Sequence, residues 1–178
     1  DIVNYFLMDI LNCDNKLDFQ FVTDNPDKDW DFFILSKIKN LTWDIVENTI
    51  DKKWDFKYLT IHPNISLEII LNNINYDWDF DVLSNNKIIP LEFISSNLDK
   101  PWNMSTISCY RELTLDFVRK AEDMVNYGAL GLSSNSNQKN LIDLIKQFPD
   151  KDWNFECISS NSIITWDDVL NNNDLQWN

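Results

Sequence analysis

The sequence predicts an all-α fold, an α-solenoid of about six to seven two-helix repeats of about 24 residues each. Three observations lead to this prediction. A tryptophan recurs at a nearly constant spacing, a Leu-Ser type pair follows it in fixed register, and a helix-start signal recurs in the second half of each period. Internal repetition with a period of about 20–50 residues is typical of repeat proteins, in which each repeat packs only on its neighbours.

The period is set by aromatic anchors. The first four anchors are spaced 24 residues apart and the later ones 24 to 26 apart: Trp30, Trp54, Trp78, Trp102, Tyr127, Trp153 and Trp177. Leu or Ile stands five residues after an anchor, at Leu35, Leu59, Leu83, Ile107, Leu132 and Ile158. Ser or Thr follows directly, at Ser36, Thr60, Ser84, Ser108, Ser133 and Ser159. Seven anchors in register are a true repeat.

The first half of each repeat reads W-D-F-x-x-L, which predicts a short helix or helical turn. Asp31, Asp55 and Asp79 directly follow their tryptophans. Each is expected to cap this helix, because a side-chain oxygen at the N-cap accepts a hydrogen bond from an amide two or three residues on.

The second half contains a clearer helix start. Twelve residues after the anchor stands an N-cap residue, at Thr42, Ser66, Thr114 and Thr165, or Pro90, whose fixed φ also suits a helix start. Apolar residues flank the cap as a hydrophobic staple, and an acid recurs two positions into the helix, at Asp44, Glu68, Glu92, Asp116 and Asp167. Asn48, Asn72 or Asn73, Asn97 and Asn171 are expected to end it; the 24 asparagines also predict left-handed helix ends.

Helices this short are unstable alone, so the repeats are expected to share one continuous core. The predicted organisation is a single helical-repeat array over residues 1–178. It divides into an N-terminal partial unit, regular repeats, one degenerate repeat and the start of a further one: 1–29, then 30–53, 54–77, 78–101 and 102–126, then 127–152, then 153–176, and 177–178. The degenerate repeat has Tyr127 in place of tryptophan, and it holds both glycines, Gly128 and Gly131. Residues 1–16 are expected to supply a first helix, and the chain is expected to be a piece of a longer protein.

Charge and cysteine content narrow the function classes. The net charge is −14, with only two arginines, Arg111 and Arg119, which disfavours nucleic acid and anionic membranes as partners and leaves a basic partner, or good solubility alone, as the explanation. Cys13, Cys109 and Cys157 are odd in number and scattered, which indicates free, buried thiols in a reducing compartment. No apolar stretch has the length of a membrane span and no signal peptide is recognisable. The oligomeric state is left open.

The candidate chemical groups are better explained as structure. Asp27, Asp29 and Asp31 have the spacing of a calcium loop, but Phe32 and Ile38 stand where such a loop needs Gly and Glu. His62, the only histidine, pairs with no cysteine in a recognisable nucleophile or zinc pattern. Acids that recur at the same positions in the repeats are better explained as helix caps than as catalytic residues. The sequence therefore predicts no catalytic, cofactor-binding or metal-binding residue, and no cofactor.

Written as W-D-F-x-x-L-S-x-N-x-x-I-T, the repeat resembles the tandem repeat proteins of giant, mimivirus-type DNA viruses. The stretches NNKIIPLEFISSNLDKPW at 85–102 and NSIITWDDVLNNNDLQW at 161–177 carry the likeness most clearly. It covers about residues 17–178 and is weakest near Tyr127. The resemblance implies a viral protein in the host cytoplasm or the virion, with no activity or functional residue to transfer.

Three function hypotheses follow. The first is a non-enzymatic scaffold that binds another protein, viral or host, as a virion or assembly component. The second is an accessory repeat region of a longer enzyme, whose catalytic domain lies outside this chain. The third is an acidic mimic of nucleic acid, which requires the carboxylates to lie on one face.

Overall fold

The all-α prediction is confirmed. The computed structural model describes residues 2–12 and 16–178, and these residues form thirteen α-helices, one 3-10 helix and no β-strand. The first seven α-helices are α1 Ile2–Asn12, α2 Phe19–Asp24, α3 Phe32–Leu35, α4 Trp43–Asn48, α5 Phe56–Leu59, α6 Leu67–Asn72 and α7 Phe80–Asn85. The remaining six are α8 Leu91–Ser95, α9 Met104–Tyr110, α10 Leu115–Lys120, α11 Leu141–Gln147, α12 Phe155–Ser159 and α13 Trp166–Asn171, and the 3-10 helix spans Leu132–Ser134.

The helices fall into two compact units, Asp1–Asp79 and Phe80–Asn178. The core of the first unit contains Leu7, Leu35, Ile38, Leu41, Leu59 and Trp78, each at most 1% exposed. The core of the second contains Leu83, Ile89, Ile94, Ile107, Leu113 and Leu132, also at most 1% exposed. Each fully buried Leu or Ile contributes about 1.5–3 kcal/mol relative to an exposed one, so the apolar positions of the period carry most of the stability.

The predicted caps of the first helices are confirmed where the side chains are described. The carboxylates of Asp31 and Asp55 accept hydrogen bonds from the backbone N–H three residues on, at 3.1 and 3.0 Å. Asn103 and Asn154 cap α9 and α12 in the same way, at 2.9 and 2.8 Å. α7 begins directly after Asp79.

The caps of the second helices also lie where the sequence places them. Ser66, Thr114 and Thr165 are N-cap residues whose hydroxyls accept from the third amide of α6, α10 and α13. Thr42 and Pro90 hold the N-cap position of α4 and α8 without a side-chain bond. The N-cap at residue 165 forms a capping box with Asp168, and these hydrogen bonds lower the pKa of the Asp168 carboxyl.

Asparagine side chains stabilise helix C-termini in a way that the sequence analysis does not predict. α4, α6 and α13 end at asparagines, as predicted. The left-handed backbone predicted for asparagines at helix ends is wrong at the asparagine C-caps of α2, α6 and α13, because φ is −123° at Asn25, −122° at Asn73 and −135° at Asn172. Each side-chain amide instead donates to the carbonyl four residues earlier, at 2.8, 2.9 and 2.6 Å, which satisfies an otherwise unpaired helix C-terminal carbonyl.

The anchor tryptophans pack in the interior and also make a hydrogen bond; four of them are buried, and Trp153 and Trp177 are partly exposed. Trp30, Trp54, Trp78 and Trp102 are between 1% and 8% exposed. Every anchor indole donates its N–H to the backbone carbonyl five residues earlier, at 2.7–3.1 Å, in Trp30, Trp54, Trp78, Trp102, Trp153 and Trp177. The accepting carbonyl lies at the end of the preceding helix, so the indole fills the core and satisfies that helix end.

Candidate interaction surface

The Ser or Thr six residues after each anchor links one repeat to the next. The hydroxyl of Ser36 donates to the Phe32 carbonyl at 2.7 Å and accepts the backbone N–H of Asp55 at 2.9 Å. The same acceptor role recurs at Thr60, Ser84, Ser108, Ser133 and Ser159, which accept from residues 79, 103, 126, 154 and 178. Only a hydroxyl both donates and accepts at this position. These hydroxyls are therefore links between repeats.

A second set of links starts eight residues after the anchor. The side-chain amides of Asn135 and Asn161 donate to carbonyls of the preceding repeat, those of Ser108 and Ser133, at 2.8 and 3.3 Å. Their carbonyl oxygens accept the amide two residues on, at 2.8 and 3.2 Å. Asn135 and Asn161 each have this bidentate role, which the sequence analysis missed because an asparagine there also fits an ordinary turn.

His62 occupies the same position and imitates the asparagines. Its Nε2 lies 3.1 Å from the Ile38 carbonyl, and its Nδ1 accepts the backbone N–H of Asn64 at 3.2 Å. This arrangement requires the neutral ring with the proton on Nε2. Burial lowers the pKa of His62, against a smaller raising effect from the bond to Ile38. Both nitrogens are engaged with the backbone, so neither is available as a general base.

A third set of hydrogen bonds between repeats is made to the backbone of the residue that precedes the N-cap of the second helix. Asn40 pairs with both backbone groups of Leu17, at 2.9 and 2.8 Å, and buried Gln138 does the same for Leu113, at 2.7 and 2.8 Å. Asn64 donates to the Leu41 carbonyl at 2.9 Å. Arg111 donates through Nη2 to the Ile89 carbonyl, while burial lowers the pKa of its guanidinium and Nη1 has no partner in the described part of the chain.

The remaining candidate groups do not assemble into a chemical site. Cys109 and Cys157 are free and partly exposed rather than buried, and Cys13 lies outside the described residues. Asp31 is engaged in capping α3, while Asp27 pairs with neighbouring Lys28 at 3.9 Å. Within residues 2–12 and 16–178, no group of three or more His, Cys, Asp or Glu side chains is placed to hold a metal ion.

Exposed acidic side chains recur in the first turns of the helices. Asp44 and Glu68 in the first compact unit are exposed in the first turns of α4 and α6. In the second unit the same place in α8, α10, α11 and α13 is held by exposed acids, namely Glu92, Asp116, Asp143 and Asp167. Lysines before the anchors form ion pairs: Lys28, Lys52 and Lys100 each pair with the preceding aspartate, and Lys151 pairs with Glu122 of the preceding repeat. The first-turn carboxylates are therefore a recurring part of the exposed negative surface.

Apolar side chains interrupt this acidic surface at the turns between paired helices. Ile61 is 62% exposed in the first unit, and Ile88 and Tyr110 are 79% and 54% exposed in the second. Among the described helices, none has the length and apolar character needed to span a membrane. Comparison with protein-family models, curated proteins and solved structures finds no match to the chain.

Proposed function

We propose that the chain is a non-enzymatic repeat scaffold, an α-solenoid that mediates protein–protein interaction. The observation that carries the proposal is the use of the recurring hydroxyl, amide and imidazole groups. Ser36 at one repeat position, and His62 and Asn135 at another, all bond backbone groups of a neighbouring repeat. Polar side chains in an active site must be free to meet a substrate, whereas these are committed to joining repeats.

The partner we propose is a basic protein. A net charge of −14 repels nucleic acid and attracts Lys- and Arg-rich surfaces, and first-turn carboxylates recur along both compact units. Such binding weakens as salt rises, because exposed charges are screened beyond about 8–10 Å at physiological ionic strength.

A charge-neutral variant tests this function. Asp44→Asn, Glu68→Gln, Glu92→Gln, Asp116→Asn and Asp167→Asn together remove five first-turn charges. The matched control removes five exposed charges from the turns before the anchors, at Asp27, Asp29, Asp51, Asp77 and Asp99. Tagged wild type and both variants would be used to capture partners from infected host cells, with thermal melts to establish folding.

We expect a defined basic protein to be captured by the wild type and the control variant, and lost by at least about tenfold in the first-turn variant. Capture of no protein, or equal capture by all three chains, would contradict the proposal. A catalytic activity of the purified chain would contradict its non-enzymatic part.

We also propose a viral setting, in the host cytoplasm or the virion, on the basis of the repeat pattern at 85–102 and 161–177. Mass spectrometry of purified virions is the corresponding measurement. Enrichment of the protein with capsid components supports a virion component, and its restriction to the infected-cell cytosol supports a host-factor binder. Absence from both contradicts the viral assignment.

A further inference from the structure

Two consecutive repeats differ in what packs against the phenylalanine that begins their first helix. The ring of Tyr76 stacks on that of Phe56, with centroids 4.6 Å apart and planes inclined by 16°. At the corresponding positions 24 residues earlier stand Lys52 and Phe32. The repeat that contains Phe32 therefore has a lysine where the following repeat has the stacking ring.

A groove lies between the phenylalanine and the lysine of this repeat. It has a volume of about 440 Å³ and is lined in part by Val22, Lys28, Trp30, Phe32, Thr49 and Lys52. An adjoining groove of about 400 Å³ shares three of these residues and adds Phe33 and Lys53. We call the two together the Phe32 groove. Each volume lies within the range of ligand-binding pockets, about 300–1,000 Å³.

The lysine of this repeat leaves its phenylalanine more accessible than the corresponding lysine of another repeat does. The side chain of Lys52 is 41% exposed, its ammonium group lies 3.0 Å from the Asp51 carboxylate, and Phe32 is half-buried. The corresponding side chain of Lys100 is 20% exposed, and the corresponding ring of Phe80 is buried. The opening is therefore a property of this repeat rather than of the period.

The charge beside the groove is the reverse of the charge beside the ring that fills its counterpart. Tyr76 is followed by Asp77, whereas Lys52 is followed by Lys53. A bound segment that supplies an aromatic ring followed by a carboxylate would place opposite charges together at this position. An ammonium group at the edge of the groove also attracts the face of an aromatic ring.

The aspartates that line the groove are mostly engaged. Asp31 caps α3, and Asp51 pairs with Lys52, which leaves Asp29 against the two other lysines of the lining. The ion pairs of Lys28 and Lys52 are exposed, and such pairs contribute little to stability. Both lysines can therefore exchange these partners for a carboxylate of a bound segment.

We propose that the Phe32 groove binds a tyrosine side chain of a partner protein, in a segment where an acidic residue follows the tyrosine. The phenol ring stacks on Phe32, and the neighbouring carboxylate pairs with Lys53. The partner is a different protein, because the one tyrosine of this chain that precedes an acid is Tyr76, which is engaged with Phe56. The inference is independent of the proposed basic partner, since it concerns another surface and an acidic segment.

Three blocked tetrapeptides probe the groove in the full chain. Ile-Asn-Tyr-Asp is the sequence that fills the counterpart groove, Ile-Asn-Ala-Asp lacks the ring, and Ile-Asn-Tyr-Asn lacks the charge. Titration of the isotope-labelled chain followed by NMR gives the dissociation constant and the location of binding. We expect saturable shifts of the amides at 28–33 and 49–53, an affinity at least about tenfold lower without the ring, and one about threefold lower without the charge.

Two variants test the groove from the side of the chain. Lys52→Tyr places the chain's own ring over Phe32, so it should weaken binding of Ile-Asn-Tyr-Asp by at least about tenfold while the chain stays folded. Lys53→Asp should remove the advantage of this peptide over Ile-Asn-Tyr-Asn. Lys57→Tyr is the control, because it adds the same ring at an exposed position of α5 outside the groove lining. Thermal melts establish that each variant is folded.

The proposal is overturned by any of three results. The first is the absence of saturable binding at millimolar peptide, the second is equal binding of the peptide without the ring, and the third is a folded Lys52→Tyr variant that binds as the wild type does. Equal affinity for para-hydroxyphenylacetate would overturn the protein segment as occupant and assign the groove to a free aromatic acid.

Discussion

The regular repeat 54–77 and the degenerate repeat 127–152 solve the same packing problem with different local structure. In the first, Trp54 is followed by the α-helix α5, capped by Asp55. In the second, Tyr127 is followed by a loop and only a 3-10 helix, at Leu132–Ser134. Both anchors are buried, at 7% and 6% exposure, and both donate to the carbonyl five residues earlier, the tyrosine through its hydroxyl at 3.3 Å.

The links to neighbouring repeats survive the loss of the α-helix. Ser108 accepts the N–H of Asn126, the residue before the anchor, rather than that of the residue after the anchor. Ser133 still accepts from Asn154, and Asn135 still donates to the preceding repeat. The comparison teaches that the anchor and its inter-repeat hydrogen bonds define this repeat, while the first helix is replaceable.

The largest expected effect is loss of an anchor. Trp54→Ala or Trp78→Ala should lower the free energy of unfolding by about 3–5 kcal/mol, since each removes a buried ring and leaves a cavity. Urea denaturation followed by far-UV circular dichroism measures this. Trp166→Ala is the control, because the 72% exposed ring should cost within about 0.5 kcal/mol.

In the degenerate repeat, the hydroxyl of Tyr127 allows the contribution of the hydrogen bond to be separated from that of the ring. Burial, with Glu122 and Asp123 as further causes, raises the pKa of Tyr127 to about 12, so the hydroxyl stays protonated as a donor. Tyr127→Phe should cost about 1 kcal/mol, the net value of one hydrogen bond. A cost equal to that of Trp54→Ala would show that the hydroxyl, rather than the ring, holds this repeat.

A further prediction concerns the two glycines of the degenerate repeat. A Cβ on Gly131 would collide with the backbone carbonyl of Asn126, whereas a Cβ on Gly128 would meet its nearest atoms at 3.6 Å, an ordinary contact. Gly131→Ala should therefore destabilise by about 2–4 kcal/mol, and Gly128→Ala by less than about 1 kcal/mol. The same urea titration compares them. Equal effects would contradict the close packing of the 126–131 loop.

The periodic features were predictable from sequence, and the links between repeats were not. The burial of Trp78, the caps at Ser66 and Thr165 and the all-helical class follow from spacing and local chemistry, which a single sequence contains. The role of Ser36 depends on an amide 19 residues away, and that of His62 on a carbonyl 24 residues away. Such pairings require the tertiary register, so the sequence shows only that the position is constant.

Another prediction concerns the loss of a hydroxyl that joins two consecutive repeats. Ser36→Ala in the first compact unit and Ser133→Ala in the second should each cost about 1–3 kcal/mol, because a partly buried backbone N–H loses the acceptor that a buried hydroxyl supplies. Ser36→Thr should be tolerated, since Thr60 fills this role in its own repeat. Ser160→Ala is the control: its exposed hydroxyl bonds only within α12 and its end. Denaturation curves showing no difference among these variants would contradict the linking role.

The smallest expected effect is a pH dependence of stability, which distinguishes His62 from the asparagines at the same repeat position. Because the folded-state pKa of His62 lies below its ordinary value of 6.5, the unfolded chain binds a proton first as pH falls. Stability is therefore complete above about pH 6.5 and declines below it, by at most about 1.4 kcal/mol per pH unit, the limit for one proton. His62→Asn should flatten this decline between pH 7.5 and pH 5.5, roughly one unit either side of that pKa. An unchanged profile would contradict a neutral ring at this position.

The central claim, that hydroxyl side chains join consecutive repeats, is tested most directly by amide hydrogen exchange measured by NMR. The N–H groups of Asp55, Asp79, Asn103 and Asn154 lie at helix starts, where an isolated helix leaves them unpaired and open to exchange. The structure predicts that they exchange as slowly as amides inside the helices, and that Ser36→Ala exposes Asp55 alone. Exchange of all four at the rate of an unfolded peptide would contradict the claim.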